Sequence, residues 1–174
     1  VTIHGRSGRI PIHEANLFLG NAGTAFRFLT AACCLGHGTF KLDGIERMRQ
    51  RPIGQLVDAL TQLGAKIDYV HEQGFPPLAI HAGGLRGGEL TMPPTLSSQY
   101  ISALLQIGPL LDAGLTIWFD GPVTSRPYVA MTLELMRRFG ITSQVSPSFT
   151  QVTVPMGRYR ATAYDIEPDA SNAS

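Results

Sequence analysis

The stretch Arg51-Pro52-Ile53-Gly54-Gln55-Leu56-Val57-Asp58-Ala59-Leu60-Thr61-Gln62-Leu63-Gly64 returns about 75 residues later in a second version, Arg126-Pro127-Tyr128-Val129-Ala130-Met131-Thr132-Leu133-Glu134-Leu135-Met136-Arg137-Arg138-Phe139-Gly140. In each version an Arg-Pro pair opens an amphipathic run. Apolar residues fall at helical intervals, at Ile53, Leu56, Val57, Leu60 and Leu63, and again at Val129, Met131, Leu133, Leu135, Met136 and Phe139. Pro52 and Pro127 suit a first helical turn, where a missing N–H breaks no bond. Gly64 and Gly140 suit the left-handed cap that ends a helix, and the residues after them suit strands.

A second feature recurs at nearly the same interval. Small polar residues open a helix at Asn21-Ala22-Gly23-Thr24, at Ser97-Ser98-Gln99 and at Ala170-Ser171-Asn172-Ala173-Ser174. Each unit therefore reads as helix, strand, Arg-Pro helix and short strands, with turns at Gln73-Gly74 and Ser146-Pro147. The expected architecture is a pseudo-symmetric α+β lobe with repeat units at approximately 1–95 and 96–170. Its more apolar helices, Ala22 to Leu35 and Gln99 to Leu111, lie inside, and strands form outer sheets. Val1 to His4 reads as a further strand. The chain opens with Val rather than Met, and Asp165 to Ser174 announces a helix whose apolar run never follows, so the sequence reads as a fragment cut at both ends.

At 174 residues and 44% hydrophobic, the chain has enough apolar material for a real core. Fourteen Lys and Arg against thirteen Asp and Glu leave a net charge of +1, too weak a field to argue for nucleic acid or an anionic membrane as partner. An anion site must therefore be built locally. Cys33 and Cys34 are adjacent, which disfavours a bridge between them, and they lack metal-ligand spacing; a reducing, cytoplasmic setting is the expectation.

Three clusters can build an anion site. In Leu19-Gly20-Asn21-Ala22-Gly23-Thr24-Ala25-Phe26-Arg27, the helix start offers outward N–H groups. There Gly23 lets a ligand approach the backbone, and Arg27 shares a helical face with Thr24. Ser97, Ser98 and Gln99 place two hydroxyls and an amide at another helix start. The Arg-Pro helices bring Arg51, Ser125, Arg126 and Tyr128, and an arginine can hold a phosphate or carboxylate with two parallel hydrogen bonds. Each cluster taken alone is equally an ordinary capped helix end with a solvated arginine; it is the repeat that argues for convergence on a common centre. The five histidines form no ligand spacing, and no metal, cofactor, nucleophile-base or paired-carboxylate motif stands out.

Leu-Gly-Asn-Ala-Gly-Thr-Ala at 19–25 with Arg27, Arg-Met-Arg-Gln-Arg-Pro-Ile-Gly at 47–54, Ser-Ser-Gln at 97–99, Ser-Arg-Pro-Tyr at 125–128 and Asp-Ala-Ser at 169–171 occur in order along the chain. They resemble the motifs of the 5-enolpyruvylshikimate-3-phosphate synthases. The resemblance implies a lobe built from βαβαββ units, one of two that close over shikimate 3-phosphate and phosphoenolpyruvate in aromatic amino acid biosynthesis. This chain would be most of the earlier lobe, with the opposite lobe absent. The resemblance places Asn21, Gly23, Arg27, Arg51 and Gln99 at phosphoenolpyruvate or its mimic glyphosate. It places Thr24, Ser97, Ser98, Gln99, Ser125 and Tyr128 at shikimate 3-phosphate. It puts the proton-transferring acids in the missing lobe, so the fragment is expected to be inactive alone and to need no cofactor. Phe28 stands where the family often has Pro, which is expected to shift Gly23 and Thr24. Two alternatives are a stand-alone anion-binding module and a relative of the transferase that uses UDP-N-acetylglucosamine. The latter normally presents a reactive Cys on a loop, unlike Cys33 and Cys34 in their apolar helix.

Overall fold

The computed structural model describes residues 2–6, 8–95 and 97–166. Two four-stranded sheets repeat one topology. In the first, β1 (Glu14–Phe18), β2 (His37–Asp43), β3 (Ile67–Tyr69) and β4 (Leu78–Gly83) lie in the order β1-β2-β4-β3. In the second, β5 (Gly88–Met92), β6 (Leu115–Phe119), β7 (Gln144–Val145) and β8 (Gln151–Val154) lie in the order β5-β6-β8-β7. The pairing sense matches as well: β1 is parallel to β2 as β5 is to β6, and every other neighbouring pair is antiparallel. A parallel pair needs a long crossover, and helices supply it. Helix α1 (Gly23–Cys33) joins β1 to β2, the short α2 (Glu46–Arg49) and α3 (Gly54–Gln62) follow β2, α4 (Ser98–Ile107) joins β5 to β6, and α5 (Arg126–Arg138) follows β6.

Helix α4 is the centre of the core. Tyr100, Ile101, Ala103, Leu104, Leu105 and Ile107 are all buried, so the helix is apolar on nearly every side and packs between α1 and α5. Its buried hydroxyl at Ser102 is accounted for inside the protein. The Ser102 and Thr132 hydroxyls meet at 2.7 Å across α4 and α5, and Thr132 also donates to the Tyr128 carbonyl at 3.0 Å. Residues 155–166 leave β8 without regular structure and run back over this core. The Tyr159 hydroxyl donates to the Gln106 carbonyl at 2.8 Å, and the Arg160 N–H donates to the Phe139 carbonyl at 2.8 Å.

The α+β class, the doubled unit, and the arrangement of inner helices and outer sheets match the sequence reading. The boundaries differ for physical reasons. Residues 2–4 form no strand: Ile3 is 86% exposed, with neither a ladder partner nor apolar cover, and the first strand begins at Glu14. Helix α4 stops at Ile107 and tightens into a 3-10 turn at Gly108–Leu110, because Pro109 has no N–H for a further α-helical bond. Pro52 lies before α3 rather than in its first turn. The N–H groups of Ile53 and Gly54 both donate to the Gly74 carbonyl, at 2.8 and 3.2 Å, so the Gln73-Gly74 turn closes over the start of the helix. Gly64 and Gly140 do end α3 and α5, with φ of 97° and 90°. The expected third helix start, including Asp169-Ala170-Ser171, lies outside the described residues.

Cys33 and Cys34 are buried free thiols. Burial pushes the Cys33 thiol up to about 11 and the Cys34 thiol to about 12, the latter helped by its neighbour. An unfolded cysteine ionises near pH ~8.5, so the thiols' contribution to stability is intact below that value and fades above it. Iodoacetamide at pH 8 is therefore expected to leave both cysteines unlabelled in the folded chain and to label both in urea, read by mass spectrometry. Leu104→Ala is expected to lower unfolding stability by about 2–5 kcal/mol, measured by urea denaturation.

Candidate functional site

The N-terminal ends of α1 and α4 meet, and their side chains are tied together across the sequence. Ser97 caps α4 by accepting from the Gln99 N–H at 3.3 Å. Its hydroxyl also accepts from Arg27 Nη1 at 3.3 Å, and the same guanidinium donates to Gln99 Oε1. Gln99 Nε2 in turn donates to the Thr24 hydroxyl at 2.9 Å. A network of hydrogen bonds thus runs Ser97, Arg27, Gln99, Thr24, joining helix starts that are separated by some 70 residues. Helix α1 has no side-chain cap of its own; the Gly23 N–H at its start donates to the Asn21 carbonyl at 2.9 Å, the same carbonyl that Arg51 reaches.

Arg51 comes in from the loop before α3. Its Nη1 donates to the Asn21 carbonyl at 3.4 Å, and its guanidinium lies directly against Gly23. A methyl group at Gly23 would sit within 2.6 Å of Arg51 Nη2, so the glycine is what permits this approach. Arg51 adds to the cost of charging Arg27. Arg27's pKa is lowered from its ordinary value chiefly by burial, with further lowering by Arg51 and an opposing contribution from Tyr100, over whose ring it lies at 5.1 Å. Among the described residues no carboxylate pairs with either arginine. Arg49 of the same basic run is different: it grips Asp43 through two hydrogen bonds, 2.9 and 2.6 Å, which hold that carboxyl below its usual range.

Beside the arginines opens a cleft of about 410 Å³. Thr24, Ser97, Ser98, Gln99, Ser125 and Tyr128 all line it, which is the complete set expected to hold one ligand. Gly23, Arg27 and Arg51 form an adjoining crevice, and Asn21 is tied to it through its carbonyl. Ser125 holds a left-handed conformation, φ 53°, and its hydroxyl makes no cap bond to α5. Arg126 is not brought into the site; its guanidinium turns to the Ser148 carbonyl at 3.5 Å and lies 5.2 Å from the Phe149 ring. Sequence reading did not assign Ser102, Met131, Thr132, Leu135 or Tyr164 to the site, and Met131 and Leu135 entered it only as apolar helix positions; all five line the cleft wall. Helical spacing from Ser98 and Tyr128 would have found the first four; Tyr164 arrives from an irregular segment. Phe28 also lines the cleft, on the side of Thr24.

A larger depression, about 1400 Å³, lies at the opposite ends of the helices, where Leu35, Leu63 and Leu110 surround it. Helix C-termini carry the negative end of the dipole, so this hollow lacks the helix-start donors of the cleft, although Arg9, Lys66, Arg86 and Arg158 line it beside Asp112. The described residues contain no group of three or more His, Cys, Asp or Glu placed to hold a metal ion, and no helix long and apolar enough to cross a membrane.

A doubled βαβαββ fold with helix starts and arginines gathered at one end is the lobe architecture of the enolpyruvyl transferases. The sequence model for EPSP synthase (3-phosphoshikimate 1-carboxyvinyltransferase) matches residues 1–174, and the chain belongs to that family. The 3-phosphoshikimate 1-carboxyvinyltransferase of Shewanella amazonensis is 47% identical over 176 residues, covering 99% of this chain and 41% of that protein. The Nitrosomonas europaea enzyme of the same name is 45% identical over 174 residues, covering 99% and 40%. This chain thus spans about 40% of the length of these relatives. The solved EPSP synthase of Acinetobacter baumannii superimposes with a TM-score of 0.71 at 23% identity, over 84% of this chain and 32% of that one, a likeness of fold.

Gly23→Ala should move the Arg51 guanidinium, the far end of a flexible side chain, while leaving the helix intact, since Gly23 has an ordinary negative φ at the helix start. The expected result is a melting temperature equal to or above that of the parent together with weaker binding of inorganic phosphate, measured by calorimetry.

Proposed function

We propose that this chain is the substrate-binding portion of one lobe of a 3-phosphoshikimate 1-carboxyvinyltransferase, and that it works only with an opposite lobe it does not itself contain. The observation that carries the reading is the pairing of a hydroxyl-lined cleft with two arginines that have no carboxylate partner among the described residues. Phosphoenolpyruvate and shikimate 3-phosphate each present a phosphate and a carboxylate, and such a surface is complementary to both. Arg51 and Arg27, with the Gly23 backbone, Asn21 and Gln99, hold phosphoenolpyruvate. Thr24, Ser97, Ser98, Gln99, Ser125 and Tyr128 hold shikimate 3-phosphate, Gln99 standing between the two.

In the reaction the shikimate 5-hydroxyl gives up its proton to a base as its oxygen bonds to C2 of phosphoenolpyruvate, while a proton from an acid adds to C3. Phosphate then leaves that tetrahedral centre, and loss of a proton from C3 restores the double bond. This chain contributes positioning and charge stabilisation. Its described cleft lining carries no carboxylate, imidazole or amine, and on the two-lobe reading the groups that move protons belong to the opposite lobe. A transferase acting on UDP-N-acetylglucosamine with a loop cysteine is disfavoured, because both cysteines are buried with their thiols held protonated.

Residues 1–174 alone are expected to bind shikimate 3-phosphate weakly and to turn over nothing, while the same residues within the full-length protein support release of phosphate. Robust turnover by the isolated segment would overturn the two-lobe reading. In the full-length protein, Arg51→Ala should lower kcat/KM by roughly ten- to a hundredfold, the scale of one or two charge-assisted hydrogen bonds.

A further inference from the structure

We infer that Tyr100 is a positioning residue that aligns both arginines on the phosphoenolpyruvate side of the site, an inference that rests on the function proposed above. Tyr100 is the third residue of α4 and is 1% exposed, so no ligand touches it. Its ring lies beneath the Arg27 guanidinium at 5.1 Å, and its hydroxyl donates to the Pro52 carbonyl at 2.6 Å. One side chain therefore contacts Arg27 through its face and the Arg51 loop through its tip.

The geometry makes the hydroxyl a tether for Arg51. Pro52 follows Arg51 directly, and its ring fixes φ, so holding the Pro52 carbonyl restricts the direction in which Arg51 leaves the chain. The loop is held from its other side as well: Ile53 is buried, and the Ile53 and Gly54 N–H groups donate to the Gly74 carbonyl. The contacts that remain to the Arg51 guanidinium are the long bond to the Asn21 carbonyl and the close face of Gly23, neither of which anchors the loop backbone. A phenylalanine would fill the same core volume; the hydroxyl adds the bond to Pro52 and a hydrogen-bonding contact with Arg27, and a buried phenol without an acceptor would destabilise the fold. Burial raises the Tyr100 pKa, with Arg27 and Arg51 opposing, so the group donates as a neutral phenol.

The test uses the full-length protein and its Tyr100→Phe and Tyr100→Leu variants. Tyr100→Phe should raise KM for phosphoenolpyruvate roughly fivefold, the scale of one neutral hydrogen bond, and leave KM for shikimate 3-phosphate within about twofold. Tyr100→Leu, which also removes the ring beneath Arg27, should raise the same KM further, and both variants should keep a cooperative thermal transition. Inorganic phosphate, titrated by calorimetry, gives a readout independent of turnover: its Kd should rise in Tyr100→Phe by a similar factor. Equal rises in both KM values, or unchanged phosphoenolpyruvate KM and phosphate Kd in Tyr100→Phe, would overturn the inference. A parent protein that turns over nothing, yet loses phosphate affinity in Tyr100→Phe, would sink the proposed function and leave the positioning role standing.

Discussion

Everything at the site depends on where α4 can sit. A helix buried on nearly all sides has no freedom to slide or roll without opening voids in a close-packed core, and each void costs dispersion and transfer energy. Ile101, Leu104 and Leu105 are wholly buried, so the depth and rotation of α4 are fixed by packing. Its first turn carries Ser98, Gln99 and Tyr100, with Ser97 as the cap, and these inherit that precision. The polar network to Arg27 and Thr24 is then built on a rigid floor rather than on loops.

The duplication explains how a protein with almost no net charge assembles a concentrated positive corner. Each unit sends a crossover helix from its parallel strand pair, and helices that are equivalent in the two units start at the same end of the lobe. Their N–H groups and dipoles add there, and two arginines supplement them. The basic residues elsewhere are spent differently. Arg49 is engaged by Asp43, and Arg137 and Arg138 share Glu134, whose carboxyl they pull down to about 2.

Much of this was readable from the sequence, because periodicity and repetition act locally and leave a pattern. The helical intervals after Arg51 and Arg126 and the glycine stops did mark real elements. What could not be read depends on contacts between distant segments. The two Arg-Pro pairs look alike, yet α5 begins at Arg126 itself whereas α3 waits until Gly54. Arg51 therefore leaves from an irregular loop towards Gly23, and Arg126 leaves a helix towards Phe149. Tyr100 reads in the sequence as one more core aromatic, and only the location of Pro52, 48 residues earlier, reveals what its hydroxyl does. Val1 to His4 has the composition of a strand, but composition cannot supply the neighbouring strand that residues 2–4 lack.

The neighbouring charges of Arg27 and Arg51 also bear on how the protein behaves on the bench. Two like charges held close, one of them half-buried, oppose compaction, and any oxyanion that settles between them relieves that repulsion in the folded state alone. By mass action, sulfate or phosphate in a buffer then acts as a thermodynamic ligand, adding stability in proportion to the logarithm of its concentration once above its Kd. If the site takes an oxyanion as proposed, the choice of salt during purification becomes part of the folding equilibrium, and chloride and sulfate solutions of equal ionic strength cease to be equivalent for this chain.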